Sequence, residues 1–337
     1  MHASAARIDP VVATRAKRPG WRNLDGILLL DKPLGCSSNQ ALQQARRLFN
    51  AEKAGHTGSL DPAASGMLPI CFGQATKLSG QLLGADKHYV AVARFGQRTR
   101  TGDAEGEVIE TRDTHGLDWA ALENVRERFV GAIEQIPPMY SALKHQGLRL
   151  YQLARAGQEV VRAPRSVHIR ALSWRPLGAV DLEVSVRCSK GTYIRTLIED
   201  LAAAIGQCAH LQSLRRTEVQ PFGGLPMWTL DELSERAQRS QADLDAALQP
   251  LAVAVRHWPQ VVLQPCELRR LLQGQVAPVM RERLPPGVVA GMDVAVMDPA
   301  GALMALARCD SASGLAPRRW LGATTSLAAG ASDSQSG

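Results

Sequence analysis

No two of the six cysteines, Cys36, Cys71, Cys188, Cys208, Cys266 and Cys309, form a CxxC pair, and they are scattered over nearly the whole chain. That spacing argues against a zinc site and a dense disulfide framework, and fits reduced thiols in a cytosolic protein. No apolar run approaches the roughly 18 residues that a membrane helix needs. The N-terminal stretch carries Arg7, Arg15, Lys17, Arg18 and Arg22 without an apolar segment, so it does not read as a secretory signal. Neither G-x-G-x-x-G nor G-x-x-x-x-G-K-[ST] occurs, which removes the common dinucleotide and P-loop sites. Internal repeats are lacking too. These absences predict a cytoplasmic protein with no cofactor, no metal and no membrane attachment.

What is present is length and positive charge. A chain of 337 residues is long for one average domain and fits a large domain with a smaller one. Its net charge of +7 points to a polyanionic partner, nucleic acid before a membrane surface. Residues 1–23 read as a disordered basic arm and 324–337 as a disordered, small and polar tail. Ile27–Leu30 reads as a buried strand, and Ser37 or Ser38 as the cap of a helix with Ala41, Leu42, Ala45, Leu48 and Phe49 on one face. The glycines and prolines between Ala54 and Pro69 predict loop for much of that stretch. Tyr89–Phe95 and Leu182–Cys188 alternate as strands. Ile194, Leu197, Ile198, Leu201, Ala202 and Ile205 share the strongest helical stripe, which Gly206 ends. Thr229 and Glu232 form a capping box that opens another helix. A boundary falls near Arg256-His257-Trp258-Pro259. Beyond it a β-rich unit is expected, with strands Val261–Leu263, Val288–Met297 and Leu303–Ala307 and a helix between Pro265 and Gly274. The lack of regular βαβ alternation makes the larger part, residues 24–255, α+β.

Four places could carry chemistry. Asp61 precedes Pro62 among glycines, which puts a carboxylate on a sharply shaped loop; alone it reads as a turn aspartate. In Lys190-Gly191-Thr192-Tyr193-Ile194-Arg195, Arg195 falls in the first turn of the strong helix. A cation is unfavourable there, so Arg195 asks for another reason, such as a carboxylate partner; alone it reads as a solvated surface arginine. Asp86-Lys87-His88-Tyr89 opens a strand, where an aromatic is ordinary. The stretch 140–175 holds Lys144, Arg149, Arg155, Arg162, Arg165, Arg170 and Arg175 with Glu159 as its single acid and Tyr140 and Tyr151 interleaved. Such a stretch is a solvated basic face or a set of phosphate contacts. Ser141-x-x-Lys144 matches S-x-x-K, but Ser37-Ser38-Asn39 precedes it and Lys190-Gly191-Thr192 inverts K-T-G, so the penicillin-binding order is not met.

Taken in order, the segments resemble the motifs of one family. Lys32-Pro33-x-Gly35-x-Ser37-Ser38 comes first. The specific block Gly55-His56-Thr57-Gly58-x-Leu60-Asp61-Pro62-x-Ala64-x-Gly66-x-Leu68-Pro69 follows, then Asp86-Lys87-x-Tyr89. The later segments are Pro138-x-Tyr140-Ser141-Ala142-x-Lys144-x-x-Gly147-x-x-Leu150-Tyr151, Lys190 to Arg195, Leu214-Arg215-Arg216 and Ala316-Pro317-Arg318-Arg319. Together they are similar to the TruB family of bacterial tRNA pseudouridine-55 synthases over roughly residues 24–323.

That resemblance implies a pseudouridine synthase fold: a large mixed, mainly antiparallel sheet flanked by helices and loops, with a PUA-like RNA-binding domain over 256–323. It implies isomerisation of a T-loop uridine, in which the N1–C1′ bond is cut and the base rejoined through C5. No electron is gained or lost, in keeping with the absence of cofactor motifs. Asp61 would be the essential carboxylate, kept ionised by Arg195. It could attack C1′ or C6, or remove a ribose proton. Tyr89 would stack on the base; its ordinary pKa of about 10 makes it a poor base. His56 would fill the space left by the flipped uridine, Tyr193 and Leu214 would wall the pocket, and Lys32 and Lys190 would bind substrate. Lys144, Arg149, Arg155, Arg162 and Arg165 would grip the T-arm and elbow of the tRNA, and the PUA-like unit its acceptor end. A monomer without an obligate protein partner is expected. The competing reading is an RNA-binding or RNA-folding protein without catalysis.

Overall fold

Ile27, Leu28, Leu29 and Leu30 form the centre of strand β1 (Gly26–Lys32) and are almost wholly buried. A strand with such a run is covered on both faces. The computed structural model describes residues 20–141, 143–310 and 314–322. The expected arm up to residue 19, the expected tail and Ala142 lie outside the described residues.

After β1 come α1 (Ser38–Leu48), β2 (Ala54–His56), β3 (Ala64–Phe72), α2 (Ser79–Leu83) and β4 (Lys87–Phe95). A ribbon of β5 (Gln97–Thr99) and β6 (Val108–Thr111) leads to α3 (Trp119–Val125) and β7 (Gly131–Gln135). A second ribbon, β8 (Lys144–His145) and β9 (Leu148–Arg149), precedes α4 (Leu150–Arg155) and the long hairpin β10 (Arg165–Pro176) and β11 (Asp181–Cys188). Then follow α5 (Ile194–Ala204), β12 (Ala209–Val219), α6 (Leu230–Arg239) and α7 (Gln241–Asp245). The C-terminal part holds β13 (Gln260–Val262), α8 (Pro265–Leu272), β14 (Ala277–Pro278), β15 (Asp293–Met297), β16 (Leu303–Cys309) and β17 (Gly314–Trp320).

The large sheet runs β1-β3-β12-β4-β11-β10-β7, with β2 added beside β3. Its pairs are antiparallel except β12 with β3. It is thus the mixed, mainly antiparallel sheet of the expected α+β class. The second sheet runs β13-β15-β16-β17-β14 and curls around its own core of Val261, Leu268, Val294, Ala307 and Leu315, as a PUA-like unit does.

Alternation along the strands assigns the faces. On β1, Leu28 and Leu30 pack with α1 and α6 through Leu42, Phe49 and Leu233. Ile27 and Leu29 face the other way, into a seam with Ala295, Met297, Leu306 and Leu321 of the C-terminal unit. Burying each such leucine contributes roughly 1.5–3 kcal/mol. Across the rest of the sheet, Tyr89, Ala91, Ala93 and Phe95 of β4 pack with Val184 and Val186 under Ile194, Leu197 and Leu201 of α5.

Several sequence expectations are sharpened or corrected. Ser37 is the cap of α1, with a capping box to Gln40, and Ser38 has a different task described below. The stretch 54–69 is mostly strand; only residues 57–63 connect β2 to β3. Gly66 is needed inside β3 because a Cβ there would lie 2.2 Å from the Arg216 carbonyl oxygen, and its φ is +101°. Pro69 is tolerated because the Leu29 carbonyl opposite accepts from Trp228 N at 2.9 Å, so β1 loses no bond. The strand expected over Val288–Met297 begins only at Asp293, because the Gly291 turn bonds to Cys309 O first. Leu303–Ala307 continues to Cys309, and Ala316–Trp320, read only as a motif, belongs to β17.

Candidate active site

The seven residues between β2 and β3 carry Asp61 and are clamped at nearly every position. Ser38 Oγ, buried at the start of α1, donates to Leu60 O at 2.9 Å and accepts from Leu60 N at 2.7 Å. Arg216, on β12, donates to Gly58 O at 3.0 Å, to Ser59 O at 3.4 Å and to Met67 O at 2.7 Å. Gly35 N reaches Pro62 O at 2.9 Å, and Ala64 N closes a turn on Asp61 O at 3.0 Å. The loop is therefore held by its backbone, and the Asp61 side chain is left 55% exposed.

Arg195 meets that side chain. Its Nη2 donates to Asp61 Oδ2 at 2.9 Å and to Tyr140 O at 2.7 Å; its Nη1 donates to Thr101 O at 2.8 Å and lies 3.5 Å from Asp103 Oδ2. The arginine side chain is only 8% exposed. A cation in the first turn of α5 opposes the helix dipole, and two carboxylates offset that cost. Tyr193, at the N-cap of α5, offers no side-chain cap of its own. Gln135 holds its backbone instead, accepting from Tyr193 N at 3.0 Å and donating to Tyr193 O at 3.3 Å.

Asp61, Tyr89, Lys190, Tyr193, Arg195 and Leu214 line one cavity of about 300 Å³, with Gly58, Leu60, Leu83, Lys87, Ser141 and Arg216. Burial pushes the Tyr89 phenol up, with the Arg216 charge acting in the opposite direction. Burial also raises the Tyr193 phenol. Both rings are neutral at physiological pH, which suits stacking better than proton removal.

Two of the expected substrate-binding residues stand apart from the cavity wall. Lys32 is wholly buried and folds back on its own turn, donating to Pro33 O and Cys36 O, each at 2.8 Å. Burial lowers its pKa. It braces the connection from β1 to α1 behind the loop. His56 lies on β2 opposite Ile70, and burial, then the Arg216 charge, lower its pKa. Its Nδ1 is buried without a partner, which leaves a neutral ring with an unused hydrogen-bonding atom.

The basic stretch divides in two. Lys144, Arg149, Arg155 and Arg165 are exposed, and Arg155 lies 5.6 Å from the Tyr151 ring. Arg162 is engaged with Pro137 O at 3.2 Å and Glu159 at 3.6 Å. Arg170 pairs with Asp86 and Arg175 with Glu183.

Sequence reasoning missed Asp103, Gln135, Ser38 as a clamp, and the burial of Lys87 and Arg216 in the site. The motifs containing Lys87 and Arg216 were visible. Asp103 and Gln135 gave no local signal, since only tertiary pairing brings them to Arg195 and Tyr193. Among the described residues no group of three or more His, Cys, Asp or Glu could hold a metal ion.

The family model for the TruB family pseudouridylate synthase N-terminal domain matches residues 46–194, and that for the tRNA pseudouridylate synthase B C-terminal domain matches 195–256. A tRNA pseudouridine synthase B of Burkholderia mallei is 50% identical over 302 residues, 90% of this chain and 96% of that protein. One of Pseudomonas putida is 48% identical, covering 88% and 96%. Among solved structures, a Cbf5-Nop10-Gar1 complex includes a chain with a TM-score of 0.71 and 25% identity, covering 94% of each. An H/ACA RNP bound to a substrate RNA containing 2′-deoxyuridine gives a TM-score of 0.68 at 23% identity, covering 92% of this chain and 93% of that one. The chain belongs to the TruB family of pseudouridine synthases.

Proposed function

We propose that the protein isomerises uridine-55 in the T-loop of tRNA to pseudouridine, without a cofactor and with Asp61 as the essential group. The observation that carries this reading is the Asp61–Arg195 contact at 2.9 Å at the wall of a 300 Å³ cavity that also holds Tyr89. The two charges play unlike parts. Arg195 is buried and fixed by four partners, so it does not move with the substrate. Asp61 keeps an exposed face toward the cavity and can reach a nucleotide.

A uridine inside a folded T-loop must be flipped out to enter this cavity. Tyr89 packs on the base, and Tyr193 and Leu214 bound it. His56, neutral and with Nδ1 unused, takes the vacated place in the RNA stack. Three first steps are open to Asp61: attack on C1′, attack on C6, or removal of a ribose proton. Each requires the carboxylate form, which the Arg195 ion pair favours.

Lys144, Arg149, Arg155 and Arg165 are the exposed cations of the stretch beside the cavity and would contact T-arm phosphates. Arg162 is better placed to tie its loop to Pro137. The unit over 256–323, docked against β1 and β3 through its apolar seam, would reach the acceptor end. Residues 24–255 are the catalytic domain in this reading. No described helix is long and apolar enough to cross a membrane, and we assign the protein to the cytoplasm as a monomer.

The test is incubation of purified protein with an unmodified tRNA transcript and mapping of pseudouridine at single-nucleotide resolution. Product at position 55 alone is expected. Product elsewhere would overturn the site assignment. Tight binding without product would favour the non-catalytic RNA-folding reading.

A further inference from the structure

Two buried cations, Lys87 and Arg216, stand at the cavity wall without a described carboxylate in hydrogen-bond contact with either. Arg216 is accounted for: it bonds to three backbone carbonyls and shapes the loop. Lys87 is not. Its ammonium donates to Leu83 O at 3.1 Å and to Ala85 O, which leaves one of three N–H groups unused. The residue is only 7% exposed and lines the cavity. It lies two residues before Tyr89 on β4, so both side chains project from the same face of the strand. A cation withdrawn from water beside another cation has a cost that only an anion in the cavity would offset.

We propose that Lys87 is a catalytic residue whose free N–H stabilises the uracil ring while it carries the electron pair of the broken N1–C1′ bond. This rests on the reaction proposed above. Heterolysis leaves the pair on the base, spread over N1, O2 and O4. C1′ is meanwhile satisfied by an Asp61 oxygen or by loss of a ribose proton. The ring turns and the pair on the base forms the C5–C1′ bond, while the Asp61–C1′ bond breaks with its pair returning to the carboxylate, or the ribose carbon regains its proton; C5 then loses its proton and N1 gains one. Atoms and electrons balance, and the negative charge on the base exists only between the two bond changes. A preorganised cation at that point acts on the transition state rather than on bound substrate.

The surroundings keep this ammonium weakly held. Burial first, and the Arg216 charge next, bring its pKa down to about 8. Of the other groups facing it, Cys188 on β11 is itself pushed up to about 11 and Asp86 is paired with Arg170 at 3.0 Å. Lys190, on the loop before α5, is exposed and adds to the positive field. The charge that the reaction needs would therefore be lost as pH rises through about 8.

The experiment compares Lys87→Met and Lys87→Gln with the wild type in single turnover on tRNA transcripts carrying uridine or 5-fluorouridine at the target position. Wild-type turnover of the uridine transcript is measured first; no product there removes the reaction and the role of Lys87 with it. Given turnover, both variants should lose about 10²–10³-fold in rate on uridine, the size expected for one transition-state donor, with tRNA Kd unchanged. 5-Fluorouracil is a better-stabilised anion and needs the cation less, so consumption of that transcript at pH 7 should fall at least tenfold less. An equal loss on both transcripts, or a loss confined to Kd, would overturn the proposal. At subsaturating tRNA, where the rate reports the free protein, the wild-type uridine rate should decline as pH rises from about 7 to 9, a decline that Lys87→Met should lack; the same decline in both would overturn the proposal as well.

Discussion

Arg215 and Arg216 follow one another on β12 and, by the two-residue period of a strand, point to opposite faces of the large sheet. Arg215 is 43% exposed and makes a bidentate pair with Asp31, at 2.6 and 3.0 Å. It belongs to a grid on the face away from the cavity: Arg94 with Asp181, Arg170 with Asp86, Arg175 with Glu183 and Arg187 with Glu218, all within 3.0 Å. Arg216 is 1% exposed, has no such carboxylate among the described residues, and spends its donors on the backbone of the Asp61 loop and of β3. On the outer face each of these arginines is neutralised by a nearby carboxylate, so that grid is solvated and quiet. On the inner face charge is buried and aimed at loop or cavity. Charge number alone does not mark the functional side; the manner of pairing does.

That contrast can be broken by substitution, beginning with the largest change. Arg195→Met leaves Asp61 and Asp103 facing each other with no cation between them. The loss should be roughly 10²–10³-fold in kcat, with a lowered Tm because a partly buried acid is left unpaired. Near-normal turnover would remove the ion pair from the account. Ser38→Ala strips Leu60 of both partners, a cost of about 1–3 kcal/mol. A kcat reduced about tenfold at unchanged Kd is expected if part of that cost appears in the transition state. A lower Tm with full kcat would make Ser38 merely structural. Arg215→Ala, on the outer face, should change Tm and kcat least, since an exposed pair contributes about 0–1 kcal/mol. A large loss of activity there would mean that the two faces are not separable.

The same contrast explains what could be read before the structure. Asp61 alone reads as a turn aspartate; the block around it was legible through the resemblance, because its residues are adjacent in the chain and form one specific motif. Arg195 was legible through a local conflict, a cation placed against a helix dipole. The apolar periods of α1, α5 and β4 were legible because burial acts on every second, third or fourth residue. Asp103 was not, for it reaches Arg195 from the β5–β6 ribbon, which touches β12 beside Leu211. Ser38 looked like a cap because Ser37 and Ser38 share that chemistry, and only tertiary packing gives Ser38 the Leu60 backbone. Lys32 was expected at the substrate through the resemblance alone, and no local pattern announced that its ammonium would be buried on Pro33 O and Cys36 O. Gly66 and Pro69 looked like loop residues because a close strand crossing and a non-bonded strand pair tolerate the same residue types as a turn.

The central claim is that one carboxylate on a rigid loop is indispensable to the reaction, and that the residues around it hold it, the base and the charge that develops. Asp61→Asn, which keeps shape and removes charge, tests it most directly. With an unmodified tRNA transcript the account predicts no detectable pseudouridine in single turnover and a tRNA Kd within about threefold of wild type, a change below 1 kcal/mol. Pseudouridine formed by this variant at the wild-type rate would contradict it.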